Sequence, residues 1–239
     1  MHVIWKIIGV LLVVLVAAVA VFQTQLRAVA YNYWPPHRAV TVDEELAARG
    51  LARGVPVYLR IFKEEHELEL WVSGENGYSL LRTYPICAWS GTLGPKLQEG
   101  DGQSPEGFYR VRRRDLNPNS QFHLSFNLGF PNAYDRAHGR TGSYLMVHGN
   151  CVSIGCYAMT DEVIETIYGV VEAALKSGQG HVPVHVFPFR MTQANLDRHA
   201  GSQWFAFWLN LKQGYDAFEA ERLPPKVRVQ GKTYRVLAL

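Results

Sequence analysis

The chain has 239 residues, 24 Lys and Arg against 21 Asp and Glu for a formal charge of +3, and 48% hydrophobic residues. Charged residues at 19% with 12% aromatics exclude a disordered or coiled-coil chain. A balance so near neutral, whose one dense basic run is Arg112-Arg113-Arg114, excludes nucleic acid as the natural partner.

Lys6 precedes an unbroken apolar run from Ile7 to Phe22 that shows no polar face at helical spacing. Two readings stand for residues 1–30: an uncleaved signal anchor, or a signal peptide cut after Ala28-Val29-Ala30. Either sends the rest of the chain out of the cytoplasm, and the uncleaved form would attach it to the inner membrane. Residues 31–56 read as a linker. Tyr33-Trp34-Pro35-Pro36 breaks regular structure, Thr41 to Glu44 has capping-box spacing, and Glu45–Arg53 is a short helix ended by Gly54 and Pro56.

From residue 57 the pattern is β. Val57–Phe62 and Leu68–Val72 flank a charged turn, Lys63–Glu67, and Asn76-Gly77 turns the chain into a return strand, Tyr78–Cys87. Residues 91–107 are a long Gly- and Pro-rich loop, the kind of segment that carries function. Phe108–Val111, Phe122–Phe126 and Leu145–His148 resume the strands. Thr160 caps a helix whose apolar face runs from Val163 to Leu175 and which ends at Gly178. His181–Phe187 alternates as a strand. Thr192–Ala220 is a helix pair whose aromatics Trp204, Phe205, Phe207 and Trp208 are core, and Lys226–Leu237 closes the chain as a hairpin. The class is α+β.

Chemistry concentrates in residues 146–160, MVHGNCVSIGCYAMT. His148 is a base that can take the proton of Cys156, and a cysteine just before a helix start feels the positive end of the dipole. Gly149 and Gly155 let the backbone approach a substrate, and the amides of Gly155 and Cys156 are candidates for an oxyanion hole. Taken alone, this pattern also fits a buried, inert cysteine.

Ser153-Ile154-Gly155-Cys156 resembles the Ser-His-Gly-Cys signature of the L,D-transpeptidase (YkuD-type) catalytic domain, with Ile154 where the family has histidine. His148-Gly149 resembles its upstream His-Gly, and the YafK-like branch has the nearer form, HGxCxSxGCxAM. Residues 84–109, 116–143, 184–192 and 207–219 carry the likeness further, so that it covers 57–239. The resemblance implies a mainly β, sandwich- or barrel-like core with C-terminal helices, here preceded by the N-terminal apolar helix.

It also implies a reaction. Cys156 is the nucleophile and His148 its general base, acting on peptidoglycan stem peptides through a thioester acyl-enzyme with no cofactor. An amine resolves the thioester in transpeptidation, and water resolves it in hydrolysis. The branch includes an amidase that frees a peptidoglycan-linked lipoprotein, so this lipoprotein is a second candidate partner. In an exported domain Cys87 and Cys151 pair as a disulfide and leave Cys156 as the free thiol of an odd set of three. The alternative for Cys87 is a small buried apolar residue.

Other polar residues have paired readings. Ser153 bonds His148 or substrate, or is a turn serine. Arg140 clamps a substrate carboxylate, or is a solvated loop arginine, and Tyr134, Asp135 and Arg136 belong to the same loop and line the cleft. Lys96, Glu99 and Asp101 read as a solvated face, and His181 and His185 as structural histidines. Two rivals from other classes are a zinc site on His148, Cys151 and Cys156, and a wall-binding module without turnover.

Overall fold

The computed structural model describes residues 40–237, together with Val19, Phe22 and Gln23. The anchor or signal reading of residues 1–30 and the aromatic-proline stretch of the linker lie outside the described residues. Among the described residues no helix is long and apolar enough to cross a membrane. The chain from Val42 onward forms one compact unit.

Helix α1 spans Val42–Ala48, beginning earlier and ending earlier than the expected Glu45–Arg53. Asp43, Glu44 and Glu45 fill its first turn, where the dipole favours acids, and Val42 and Leu46 face the core. Gly50 ends it at φ +68°, and Arg53 turns back to bind the Asp43 carboxylate at 2.7 Å.

The first sheet has five strands in the order β3 (Gly77–Pro85), β2 (Glu67–Gly74), β1 (Val57–Phe62), β10 (Val182–Phe187), β5 (Gly107–Val111). Only β1 and β10 pair in parallel. Both faces of β1 are covered. Val57, Leu59 and Ile61 enter one apolar cluster, while Tyr58 and Phe62 face the opposite way into others. Arg60, on that second face, is 2% exposed and bonds Glu69 and Glu219. Lys63, expected in a charged turn, is likewise fully buried.

The second sheet runs β4 (Ala88–Trp89), β9 (Tyr157–Ala158), β8 (Met146–His148), β7 (His123–Asn127), β6 (Leu116–Ser120). The expected return strand Tyr78–Cys87 therefore divides. It leaves the first sheet at Pro85, and the chain enters the second at Ala88, guided by the Cys87 N–H bond to the Ala158 carbonyl. Phe126, Val147 and Tyr157 of the second sheet share a core with Leu59, Tyr109 and Val184 of the first.

After the short helix α2 (Ala133–Ala137), helix α3 (Asp161–Lys176) starts where Thr160 accepts the Val163 N–H, and buries Ile164, Ile167, Val170, Val171, Ala174 and Leu175. The opposite face of the first sheet is covered by α4 (Gln193–Arg198), α5 (Phe205–Glu221) and the hairpin β11 (Val227–Gln230) and β12 (Thr233–Val236). Phe207, Trp208 and Leu211 are buried there, as their helical spacing predicts. At Gly214 a Cβ would lie 2.6 Å from the Phe108 ring, so only glycine lets α5 come this close to β5.

Candidate active site

Strands β8 and β9 run parallel, with Val147 opposite Tyr157 and His148 opposite Ala158. Val147 and Tyr157 point into the core. Because side chains alternate along a strand, Met146, His148 and Ala158 project from the other face. Cys156 immediately precedes β9, so it comes two residues before the partner of His148 in the ladder.

The Cys156 thiol is half-buried. Its Sγ accepts the Met146 N–H at 3.4 Å, and the S–H points to the Tyr144 carbonyl at 3.7 Å. His148 is 3% exposed, with Nδ1 2.6 Å from the Gly149 carbonyl. A carbonyl only accepts, so Nδ1 carries the proton, and the neutral ring keeps its lone pair on Nε2. Phe122 packs on the imidazole at 4.8 Å between centroids. Ser125, opposite His148 on β7, has a buried Oγ with no hydrogen-bond partner among the described residues.

Burial pushes the Cys156 thiol up, and the Met146 amide and the Lys96 charge only partly counter it. Burial also pushes His148 below the usual histidine range, against its bond to Gly149. Both shifts favour the uncharged form, a neutral thiol and a neutral imidazole. Cys156 does not stand at the helix start as expected: β9 and the Thr160 cap lie between it and α3. It is the turn after His148 that meets the helix N-terminus, where Asp161 accepts the Asn150 N–H at 2.8 Å. A Cβ on Gly149 would come within 2.5 Å of that carboxylate, so this glycine serves packing, and its own N–H bonds the Phe122 carbonyl.

The 91–106 loop reaches the site from the other side. Ser104 Oγ and Ser153 Oγ both donate to the Cys156 carbonyl, at 2.9 and 2.8 Å, and the Gly155 N–H donates to Ser90 Oγ at 2.5 Å. The Gly155 amide is therefore engaged, and Ser153 holds the Cys156 backbone instead of His148. Lys63 Nζ organises the loop from beneath through the carbonyls of Thr92, Gly94 and Ser104 and the Glu106 carboxylate. Lys96, expected on a solvated face, is 4% exposed and tied to Asp101 at 2.5 Å. Sequence spacing carries no signal for Ser90, Ser104 or Lys96, since they lie in a loop folded back across the sheet.

Arg140 is neither of the things expected of it. It is buried, bonds Asp135 at 2.9 Å and packs on Tyr134 and Phe207. Tyr134 and Asp135 are buried in α2, which Asn132 caps, while Arg136 is exposed. His185 is buried and its Nδ1 is hydrogen-bonded to Tyr58 Oη at 2.8 Å, the structural role expected of it. Cys87 and Cys151 are joined by a disulfide, S–S 2.02 Å, and Cys156 is free. Sulfur committed to a disulfide is no thiolate ligand, so the zinc set loses Cys151. No group of three or more metal-ligating side chains gathers among the described residues.

Residues 56–186 match the family model of the L,D-transpeptidase catalytic domain, YkuD, and the chain belongs to that family. Within it, the chain is 55% identical over 183 residues to the Escherichia coli (strain K12) protein named "Putative L,D-transpeptidase YafK", covering 77% of this chain and 74% of that one. Among solved structures it is similar to the helical cell shape determining protein Pgp2 of Campylobacter jejuni, at 17% identity and TM-score 0.45 over 80% of this chain and 81% of that one. Bd1075 of Bdellovibrio bacteriovorus is similar at 17% identity and TM-score 0.41, over 69% and 58% of the two chains.

Proposed function

We propose that the protein is an extracytoplasmic cysteine acyl-transfer enzyme acting on peptidoglycan stem peptides. Membership of the L,D-transpeptidase family supports the substrate class. The observation that supports the chemistry is that Cys156 is the free thiol and stands at the start of β9, the strand paired with the His148 strand. His148 Nε2 takes the thiol proton as sulfur attacks a peptide carbonyl, and the protonated ring then returns it to the leaving amine. A thioester on Cys156 results, and an amine or water resolves it. The Cys156 carbonyl, held by Ser104 and Ser153, keeps the sulfur from swinging away as the bond forms.

Hydrolysis is the second reading. Ile154 stands where the family signature has histidine and is 89% exposed, so an apolar group replaces a polar one beside the nucleophile. The lipoprotein-linked peptide is the substrate under that reading. Incubation with purified peptidoglycan fragments, free and lipoprotein-linked, followed by mass spectrometry separates the two. A new cross-linked mass means transfer and a gain of water means hydrolysis. Absence of both with Cys156 intact defeats the proposal and leaves the wall-binding module standing.

A further inference from the structure

A cavity of about 920 Å³ lies between the α5 side of the first sheet and the β11–β12 hairpin, and none of the residues around Cys156 lines it. Apolar residues, Pro183, Val227 and Val229 among them, belong to its lining. Its charged lining is of one sign. Arg110 and Arg112 come from β5 and the residue after it, Arg136 from α2, and Lys226 and Arg228 from the hairpin, with no Asp or Glu among the lining residues, although the Asp115 carboxylate accepts the Arg112 backbone N–H at 2.8 Å.

All five of these side chains belong to exposed residues, and none has an ion-pair partner within 4 Å among the described residues. The hairpin adds to the imbalance by setting Arg228 directly opposite Arg235 in its ladder, an arrangement that repels unless something negative sits nearby. Arg110 and Arg112 together also push His181, another lining residue, below the ordinary histidine range, after the larger effect of burial.

We propose that this cavity is a binding site for a short acidic peptide, separate from the Cys156 site. Guanidinium groups pair with carboxylates through two parallel bonds, so each arginine can hold one acidic side chain. The charges rise from three separate walls rather than converging on one point. That suits a ligand with several spaced carboxylates better than a single phosphate headgroup. The aromatic rings Phe108, Tyr109 and Tyr234 are buried and offer no open face on which a nucleobase could stack. At the outer edge of β5 the Phe108 carbonyl is already taken by Asn132 Nδ2 at 3.0 Å. Recognition therefore runs through side-chain charge, beside apolar lining residues that take small alkyl groups.

The test is fluorescence anisotropy of a labelled Ala-Glu-Ala-Glu-Ala-Glu peptide with the full chain at low salt. The peptide binds, added salt weakens it, and the Ala-Gln-Ala-Gln-Ala-Gln analogue does not compete. The double variant Arg112→Gln/Arg228→Gln weakens binding about tenfold, the effect of losing two partly exposed charge pairs. Arg228→Glu, one exposed residue changed and its melting checked, weakens it further. Cys156→Ala binds as the unchanged protein does, which separates this site from the proposed reaction. Equal binding by the glutamine analogue or by the arginine variants overturns the proposal. So does loss of binding in Cys156→Ala, or tight binding of phosphatidylglycerol vesicles with none of the peptide.

Discussion

Ser104 Oγ donates to the carbonyl oxygen of Cys156 at 2.9 Å, across 52 residues of sequence. It ties the long loop to the backbone of the proposed nucleophile, and Ser153 makes a parallel bond to the same oxygen. Replacing Ser104 with Ala leaves that oxygen one partner. The expected cost is about 1 kcal/mol in stability. The proposed turnover should fall roughly tenfold through kcat with KM little changed, since a slackened sulfur loses its alignment more than its substrate. Steady-state kinetics with a denaturant titration checks both figures.

Cys156 should be the thiol that iodoacetamide labels in the native protein, since the other two cysteines are bonded to each other. Because burial raises its pKa, labelling should stay slow at neutral pH and climb only in alkali. Cys156→Ser should abolish turnover on peptidoglycan fragments, and His148→Gln should lower it by about 10²–10⁴-fold, the worth of a general base. Turnover should rise with pH as His148 loses its proton, with a midpoint below that of an ordinary histidine. A midpoint above the ordinary value would mean that the resting pair is ionic.

Lys63 and Glu106 are both fully buried and bonded at 3.1 Å, with Glu106 also accepting from Trp208 Nε1. Lys63→Met removes the cation and strands the carboxylate. Roughly 3–5 kcal/mol of stability should go with it, as when one partner of a buried pair is removed. The 91–106 loop should loosen at the same time, which limited proteolysis would detect as new cleavage between Thr92 and Ser104.

The Cys87–Cys151 disulfide spans 64 residues and pins the turn between His148 and Cys156 to the crossing between the two sheets. Closing a loop of that length stabilises by about 4 kcal/mol through the unfolded chain. Reduction, or Cys87→Ser with Cys151→Ser, should lower Tm markedly in calorimetry. An unchanged Tm would mean that the turn is held by its hydrogen bonds alone.

His185 is pushed down to about 3, first by burial and then by the charges of Arg60 and Arg110. Unfolded, it titrates near the ordinary value of about 6.5. Between those limits the unfolded chain binds a proton that the native one refuses, so stability falls as pH drops through the window. The slope is about 1.4 kcal/mol per pH unit at most for one group. Urea titrations from pH 7 to 4 on the protein and on His185→Gln should show a shallower slope in the variant. Equal slopes would assign the pH dependence to other groups.

Much of the fold was legible because its signals are local. β-branched and aromatic content marked β1, alternation marked β2, the Asn76-Gly77 turn marked the hairpin to β3, and Thr160 with the apolar stripe behind it marked α3. The expected return strand failed at Pro85 because a change of sheet leaves no trace in alternation. Lys63, Lys96 and Arg140 misled for a shared reason. Their identity says charge, and charge says solvent unless a partner waits in the fold. Glu106, Asp101 and Asp135 lie between 5 and 43 residues away from them, so sequence alone gives no way to foresee the pairing.

By itself the sequence determined the chemistry on offer: a histidine, a free-standing cysteine and glycine turns between a short strand and a capped helix, within about a dozen residues. Such a cluster is written in short-range spacing, and short-range spacing survives without a fold. Tertiary structure alone decided which neighbours those groups meet. The parallel register of β8 and β9 sets the His148 strand beside the strand that Cys156 leads into, and a loop from far upstream holds the Cys156 carbonyl. Contacts of that kind form only when chain closure places distant segments together, which no local pattern encodes.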